Sequence, residues 1–246
     1  MPLTSLGALC SDFYVNQKLS LKMDVPSARE TVLHMFDRVR KELPQMDRLR
    51  RYEGELALES PDADSCYNWL ALNQTAIRTG WVNPTRLEDA YRLHKLVLDL
   101  APYYLSISPL DVDYLELIFG FDIEAETNRN QVVFDALLRQ SPLMCLIDDD
   151  REEFLDVQPF IGFSLSRRCD IQAFVEVKTR TRPREVASKR YSADPISVYL
   201  TIRQLGPFKT MQQFADSFGT LAGHAERLAE DRVIPHVVVP IREAMV

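Results

Sequence analysis

Residues 75–90 (TAIRTGWVNPTRLEDA) align with residues 200–215 (LTIRQLGPFKTMQQFA) without a gap, at a constant offset of 125 positions. Each stretch carries Ile-Arg at the end of an apolar, strand-like run, followed by a short turn, a threonine and a helix-forming segment. Because an internal repeat sets the architecture before local propensities do, we expect two copies of one structural unit. We assign them to residues 1–108 and 109–246.

The repeat extends beyond these stretches. Apolar and polar side chains alternate in residues 13–23 and again in residues 115–123, and a period of two is typical of a half-buried strand. A helix-forming segment follows each strand and ends at Pro44 or Pro142, because proline interrupts helical hydrogen bonding. Strand-like runs then lead to a closing helix, so the repeated unit is predicted to be β-α-β-β-α.

Several helices are expected to begin at capping boxes. Thr85 and Thr210 open T-x-x-E and T-x-x-Q patterns before the closing helices, and Ser27 opens an S-x-x-E pattern before the first helix. The copies differ in residues 171–195, where we expect an added strand and a basic loop in the second copy only. Residues 236–239 are predicted to form a final short strand.

The chain is therefore predicted to be an α+β protein of two tandem β-α-β-β-α (ferredoxin-like) units, with antiparallel sheets covered by helices on one face. The two sheets can join edge to edge or pack face to face, and we expect a cleft between the repeats. The order of elements, with the Gly80-Trp81 turn, resembles that of sporadically distributed, uncharacterised bacterial proteins of similar length. That resemblance implies no particular activity.

Composition favours a cytoplasmic globular protein. The 246 residues are 46% hydrophobic and 26% charged, which is ordinary for a soluble domain, and no apolar run is long enough to cross a membrane. The net charge of −7 argues against a general nucleic-acid-binding surface, because phosphate contact needs a high density of lysine and arginine. Cys10, Cys66, Cys145 and Cys169 form no CxxC pair, so we expect free thiols in a reducing compartment.

Arg78 and Arg203 occupy equivalent positions in the two aligned stretches. Each should lie on the sheet face away from the helices. If the sheets face each other, the two guanidinium groups converge and are suited to clamp a carboxylate or phosphate. Otherwise, we expect surface ion pairs with Glu53, Glu55 or Glu176.

A basic segment follows the second copy's central strand and is the clearest charge asymmetry of the chain. It has six cations and one acidic residue between positions 178 and 190. The cations are Lys178, Arg180, Arg182, Arg184, Lys189 and Arg190. Loop 181–195 is thus either a mobile element that binds phosphate, nucleic acid or an acidic protein surface, or a solvated loop that stays soluble because it is charged.

Glu176 and Lys178 form an E-x-K on a predicted strand, and Asp156 precedes them by twenty residues. This pattern resembles the signature of the PD-(D/E)xK nucleases. The resemblance implies that Asp156 and Glu176 hold Mg²⁺ while Lys178 stabilises the attacking water. The order of strands and the lack of a proline before Asp156 depart from that family, and the simpler interpretation is the polar face of a half-exposed strand.

Other chemistries have no support in the sequence. It contains no glycine-rich phosphate motif and no histidine pair at metal-ligand spacing, so we predict no cofactor and no metal. We predict a non-enzymatic binding or interaction module that holds an anionic small molecule or an acidic protein surface between the repeats, with no membrane partner. The alternatives are the nuclease and a structural subunit that forms a homo-oligomer through an exposed apolar patch.

Overall fold

The computed structural model describes residues 9–26, 28–63, 65–148 and 151–245. The chain is an α+β protein in which nine strands form one antiparallel sheet, in the order β2-β3-β4-β5-β1-β6-β9-β8-β7. The strands are β1 (Asp12–Leu21), β2 (Arg48–Tyr52), β3 (Glu55–Glu59), β4 (Tyr67–Asn73), β5 (Ala76–Val82), β6 (Val112–Glu124), β7 (Phe160–Ser164), β8 (Ile171–Lys178) and β9 (Pro195–Leu205).

The helices lie against one face of this sheet, with α2 on β1 and β5 and α5 on β6 and β9. They are α1 (Arg29–Glu42), α2 (Leu87–Tyr104), α3 (Arg129–Leu137), α4 (Pro183–Ser188), α5 (Gln212–Leu228) and α6 (Val239–Glu243). A 3₁₀ helix (Pro142–Leu146) follows α3, and a π-helix (Ala229–Val238) joins α5 to α6. Among the described residues, none of these helices has the length and apolar content needed to cross a membrane.

The two halves of the chain join through β1 and β6, which pair antiparallel along almost their whole length. Strand β5 lies on the other side of β1, and β9 lies on the other side of β6. The sheets therefore join edge to edge, which is one of the two arrangements that the sequence left open. Because the sheet is continuous, the two halves do not enclose a cleft between facing sheets.

Alternation along the central strands separates a buried face from an open one. Phe13, Phe119 and Phe121 are each at most 1% exposed on the helix side. The ring of Phe13 lies 5.5 Å from that of Phe119 and 5.2 Å from that of Phe121, centroid to centroid. Burial of one such side chain contributes about 1.5–3 kcal/mol, so the β1–β6 pair lies at the centre of the hydrophobic core.

We call the opposite side, which carries none of these helices, the open face. Three strand glycines on it lie beneath an aromatic ring from the directly paired residue of the neighbouring strand. The pairs are Trp69 over Gly80, Tyr14 over Gly120 and Phe174 over Gly162. A Cβ atom on these glycines would lie 2.4, 2.1 and 2.8 Å from the nearest ring atom. Glycine is thus required for the rings to lie flat on the sheet.

The extra strand belongs to the first half, so its expected place in the second half was wrong. Four strands, β2 to β5, follow α1, whereas three strands, β7 to β9, follow α3. The difference arises because residues 67–79, which look like one continuous run, turn back on themselves between Asn73 and Ala76. The turn residues Gln74 and Thr75 include neither glycine nor proline, so the usual signal was missing.

Two other local predictions also need correction. Residues 236–239 complete the π-helix and begin α6 instead of forming a strand, because Val238 and Ile241 bury their side chains three positions apart on one helical face. Helix α2 begins at Leu87 without a side-chain cap, so Thr85 does not cap it. At α5 half of the expected box is present, since the Gln213 side chain accepts from the Thr210 backbone N–H at 3.4 Å. Ser27 lies outside the described residues.

One polar contact in the core connects α2 to the sheet. His94 is completely buried, and its Nδ1 lies 2.6 Å from the Thr79 hydroxyl of β5. Loss of solvation lowers the pKa of His94 to about 3, so the imidazole is neutral in the folded protein over the physiological range.

We predict that Gly120→Ala lowers the free energy of unfolding by about 1–3 kcal/mol, because the new methyl group must displace the Tyr14 ring. Gly219→Ala is the matched control. Gly219 lies in α5 with open space around its Cβ position, so the same change there should raise stability by up to about 1 kcal/mol. Urea denaturation measures both, and equal effects at the two positions would contradict the requirement for glycine.

We also predict that acidification destabilises the fold through His94. Below about pH 6.5 the unfolded chain binds a proton at His94, whereas the folded chain does not. The free energy of unfolding should therefore decrease as the pH falls from 6.5 towards 3. His94 contributes at most about 1.4 kcal/mol to this decrease per pH unit. His94→Gln should reduce the slope of unfolding free energy against pH in this window. An unchanged slope in His94→Gln would contradict the prediction.

Candidate binding surface

A row of charged side chains crosses the centre of the open face. Strand register places Arg78 of β5 beside Lys18 of β1, Lys18 beside Glu116 of β6, and Glu116 beside Arg203 of β9. All four side chains project from the same face because directly paired residues share a face of an antiparallel sheet. The row thus brings together both arginines that the alignment selected and two charged residues that it did not.

Arg203 is paired with a buried carboxylate. Its Nε and Nη2 atoms lie 2.9 and 2.8 Å from Oε2 of Glu116, which is only 6% exposed. The guanidinium carbon also lies 4.4 Å from the ring centroid of Tyr114 and 5.3 Å from that of Phe174. Arg203 is thus held between two rings and neutralised by one carboxylate.

Arg78 has the same kind of environment on the other side of the row. Its guanidinium forms an ion pair with Glu55 of β3 and lies 5.7 Å from the Trp69 ring centroid. Glu55 is one of the partners expected for the edge-to-edge arrangement. Because two strands separate Arg78 from Arg203, their backbones are about 14 Å apart, and the two guanidinium groups do not converge on one small anion.

Lys18 lies between the two arginines and is not part of any ion pair among the described residues. Its Nζ donates a hydrogen bond to the Tyr114 hydroxyl at 2.7 Å and lies 5.1 Å from that ring's centroid. The centre of the open face therefore presents one cation without a carboxylate partner, next to an aromatic ring.

One end of the open face carries a partly buried polar network. Asp122 accepts hydrogen bonds from the hydroxyls of Tyr14, at 3.3 Å, and Ser197. Arg180 donates to Ser197 and to the Tyr199 hydroxyl, the latter at 2.6 Å. Burial raises the pKa of Asp122 and that of Tyr14, so desolvation disfavours negative charge here. Arg180, which the sequence predicted to bind a ligand, is instead hydrogen-bonded to side chains of the sheet.

The basic segment is folded around a buried arginine. Arg129 of α3 is 0% exposed, and its Nη2 donates to both carboxylate oxygens of Glu185 at 3.1 and 3.2 Å. Its Nε and Nη1 donate to the backbone carbonyls of Thr179 and Ser192 at 2.8 and 2.6 Å. Hydrogen bonds from the Ser192 hydroxyl and backbone N–H, with Arg129 adding to them, hold the pKa of Glu185 at about 2.

The remaining cations of this segment face solvent. Lys189 forms an ion pair with Glu153 at 2.5 Å, and the side chains of Arg182, Arg184 and Arg190 are exposed. Loop 181–195 thus has a defined conformation, and these three arginines project from its surface.

The three residues of the nuclease hypothesis occupy two separate segments. Glu176 and Lys178 lie on β8 and form an ion pair at 3.2 Å, with Lys178 5.7 Å from the Tyr199 ring centroid. Asp156 is exposed before β7 and accepts a hydrogen bond from Gln158 at 2.6 Å. Among the described residues there is no group of three histidine, cysteine or acidic side chains suited to hold a metal ion.

Sequence reasoning found the two arginines but missed the residues that surround them. From the sequence, Lys18, Tyr114 and Glu116 can be identified only as residues on the polar side of strands, because their contacts join strands that are far apart in sequence. The aromatic rings had one available signal. A glycine inside a strand pattern indicates close approach of another group, and Gly80, Gly120 and Gly162 all lie in strands.

We predict that Arg129→Met lowers the free energy of unfolding by about 3–5 kcal/mol, because it removes the cation that pairs with Glu185 and leaves several backbone carbonyls without their donor. Proteolytic cleavage within residues 181–195 should become faster. Arg40→Met is the control, since Arg40 forms an exposed pair with Asp37 within one turn, and such pairs contribute under about 1 kcal/mol. Similar losses in the two variants, or unchanged proteolysis, would contradict a structural role for Arg129.

No protein-family model matches this chain, and no curated protein matches its sequence.

Proposed function

We propose that this protein is a non-enzymatic interaction module that holds a protein partner against the open face of its sheet. The observation that carries this proposal is the central row, where Lys18 is a cation without a carboxylate partner between two arginine–glutamate pairs. The rings of Trp69 and Tyr114 border these charges. Tyrosine, tryptophan and arginine are the residue types that contribute most at protein interfaces.

The type of partner follows from the charge balance of the row. Arg78 and Arg203 each have a glutamate partner, so the row offers little of the uncompensated positive charge that phosphate binding requires. Neutral pairs beside flat aromatic rings suit a protein surface better than a nucleic acid. Lys18 indicates that this surface presents an acidic group at its centre.

The open face is also organised before any partner binds. Its rings lie on glycines, and its arginines are held by carboxylates and rings. Fewer side-chain conformations are then lost on association, which lowers the entropic cost of binding. The catalytic alternative has weaker support, because Lys178 is occupied by Glu176 and Asp156 lies on another segment.

We further infer that the two halves arose by duplication of one β-α-β-β-α unit. The aligned stretches support this inference, because they fall on β5 and β9, which flank the central pair from opposite sides. In this interpretation Arg78 and Arg203 are equivalent residues that have kept similar roles, because each pairs with a glutamate. Arg203 pairs with Glu116 of the adjacent strand β6, and Arg78 pairs with Glu55 of β3, two strands away.

Site-specific photo-crosslinking in cells tests the proposed binding surface. A photoreactive residue at Thr201, in the middle of the open face, should crosslink to a distinct protein, whereas one at Arg92 on the exposed side of α2 should not. Lys18→Met should reduce that crosslink about tenfold, a change of about 1.4 kcal/mol, while Lys41→Met on α1 should leave it unchanged. Equal crosslinking from both positions, or none from Thr201, would contradict the proposal, as would tight binding of oligonucleotides to the open face.

A further inference from the structure

A groove lies at the far edge of the sheet, and Glu55, the partner of Arg78, is part of its lining. It has a volume of about 710 Å³ and runs between the start of α1 and the β2–β3 hairpin. Its lining includes five aliphatic side chains: Val32, Leu33, Leu49, Leu56 and Leu72. Of these, Leu49 is 54% exposed, so the groove presents apolar surface to solvent. We call this the β2 groove.

The strand that borders the β2 groove has an unpaired edge. Strand β2 is the last strand on its side of the sheet among the described elements and pairs only with β3. All five of its residues are exposed. The outer edge of such a strand offers backbone N–H and C=O groups for pairing with another chain.

The charges around the β2 groove are unbalanced. Arg29, Arg50 and Arg51 line it, and none of them belongs to an ion pair among the described residues. Of the acidic lining residues, Glu55 pairs with Arg78, whereas the Asp24 carboxylate accepts a hydrogen bond only from the neutral Gln74 amide, so three arginines stand against one carboxylate that is not in an ion pair. Three cations without carboxylate partners around apolar surface are unusual in a chain with a net charge of −7.

We propose that the β2 groove binds an extended acidic peptide segment of a partner protein by strand addition. The peptide backbone pairs with the outer edge of β2, and its alternate apolar side chains enter the groove beside Leu49 and Leu56. Its acidic side chains project from the opposite face of the strand, where they pair with Arg50. A five-residue strand spans about 17 Å, so the binding segment has about five residues. Strands β3 and β4 separate this edge from Arg78, and the proposed peptide site does not depend on the function proposed for the central row.

A comparison of β2 with the opposite edge of the sheet indicates that the arginines of β2 do more than prevent aggregation. Charged residues on an edge strand also discourage unwanted strand pairing. If protection from unwanted strand pairing were the only role of such charges, the opposite edge strand β7 would need them more than β2 does. Strand β7 is apolar, with Phe160 and Ile161 at least 60% exposed, and it has no charged residue. The arginines are instead placed at the edge that has the groove.

Fluorescence anisotropy with the whole protein and a labelled peptide of alternating glutamate and valine tests this proposal. We expect saturable binding that weakens with added salt and falls at least about tenfold in the double variant Arg50→Glu/Arg51→Glu. Leu49→Ser should also weaken binding, and the exposed control Arg92→Glu should not. A proline in the centre of the peptide should abolish binding, because proline cannot complete a strand ladder.

Several results would overturn the proposal. One is equal binding of a lysine–valine peptide, and another is unchanged affinity in the double arginine variant. A mass in solution that doubles through β2 would assign the edge to a second copy of the chain, and saturable binding of decanoate without peptide binding would assign the groove to a fatty acid. Lys18→Met should leave peptide affinity unchanged, so failure here and failure at the open face are distinguishable.

Discussion

The antiparallel pairing of β1 with β6 is the interaction on which the rest of the structure depends. It joins the two halves of the chain into one sheet, and on its buried face Phe13 packs against Phe119 and Phe121. Each half contributes a helix, α2 or α5, that covers its own side of this pair. Because the core is shared, neither half buries its central strand completely without the other.

Joining the halves edge to edge also determines the character of the open face. Side chains on a sheet face project in parallel, so Arg78 and Arg203 lie in one row instead of meeting across a cleft. Each is then compensated by a glutamate, Arg203 by Glu116 of the adjacent strand and Arg78 by Glu55 two strands away. Among the described residues, Lys18 has no carboxylate partner. A surface of this kind, neutral in its pairs and rich in flat rings, suits a broad protein interface better than a pocket for a small anion.

The two halves use their distinctive segments differently. In the second half, the basic segment is organised by Arg129, whose buried guanidinium binds Glu185 and three segments of backbone. In the first half, the additional hairpin β2–β3 leaves an edge strand and a groove whose arginines have no carboxylate partner. In the second half the buried Arg129 thus contributes to the fold while Arg182, Arg184 and Arg190 are exposed, and in the first half the exposed arginines at β2 are the basis of the proposed peptide site.

The sequence by itself determined the features that depend on local periodicity. Alternation predicted β1 and β6, and the gapless alignment of two stretches selected Arg78 and Arg203 as equivalent residues. Only the tertiary structure decided which strands pair, that residues 67–79 form two strands, and that Arg78 and Arg203 pair with Glu55 and Glu116. The physical reason is that a strand's periodicity is encoded along the chain, whereas its hydrogen-bonding and ionic partners lie tens of residues away and are selected by packing.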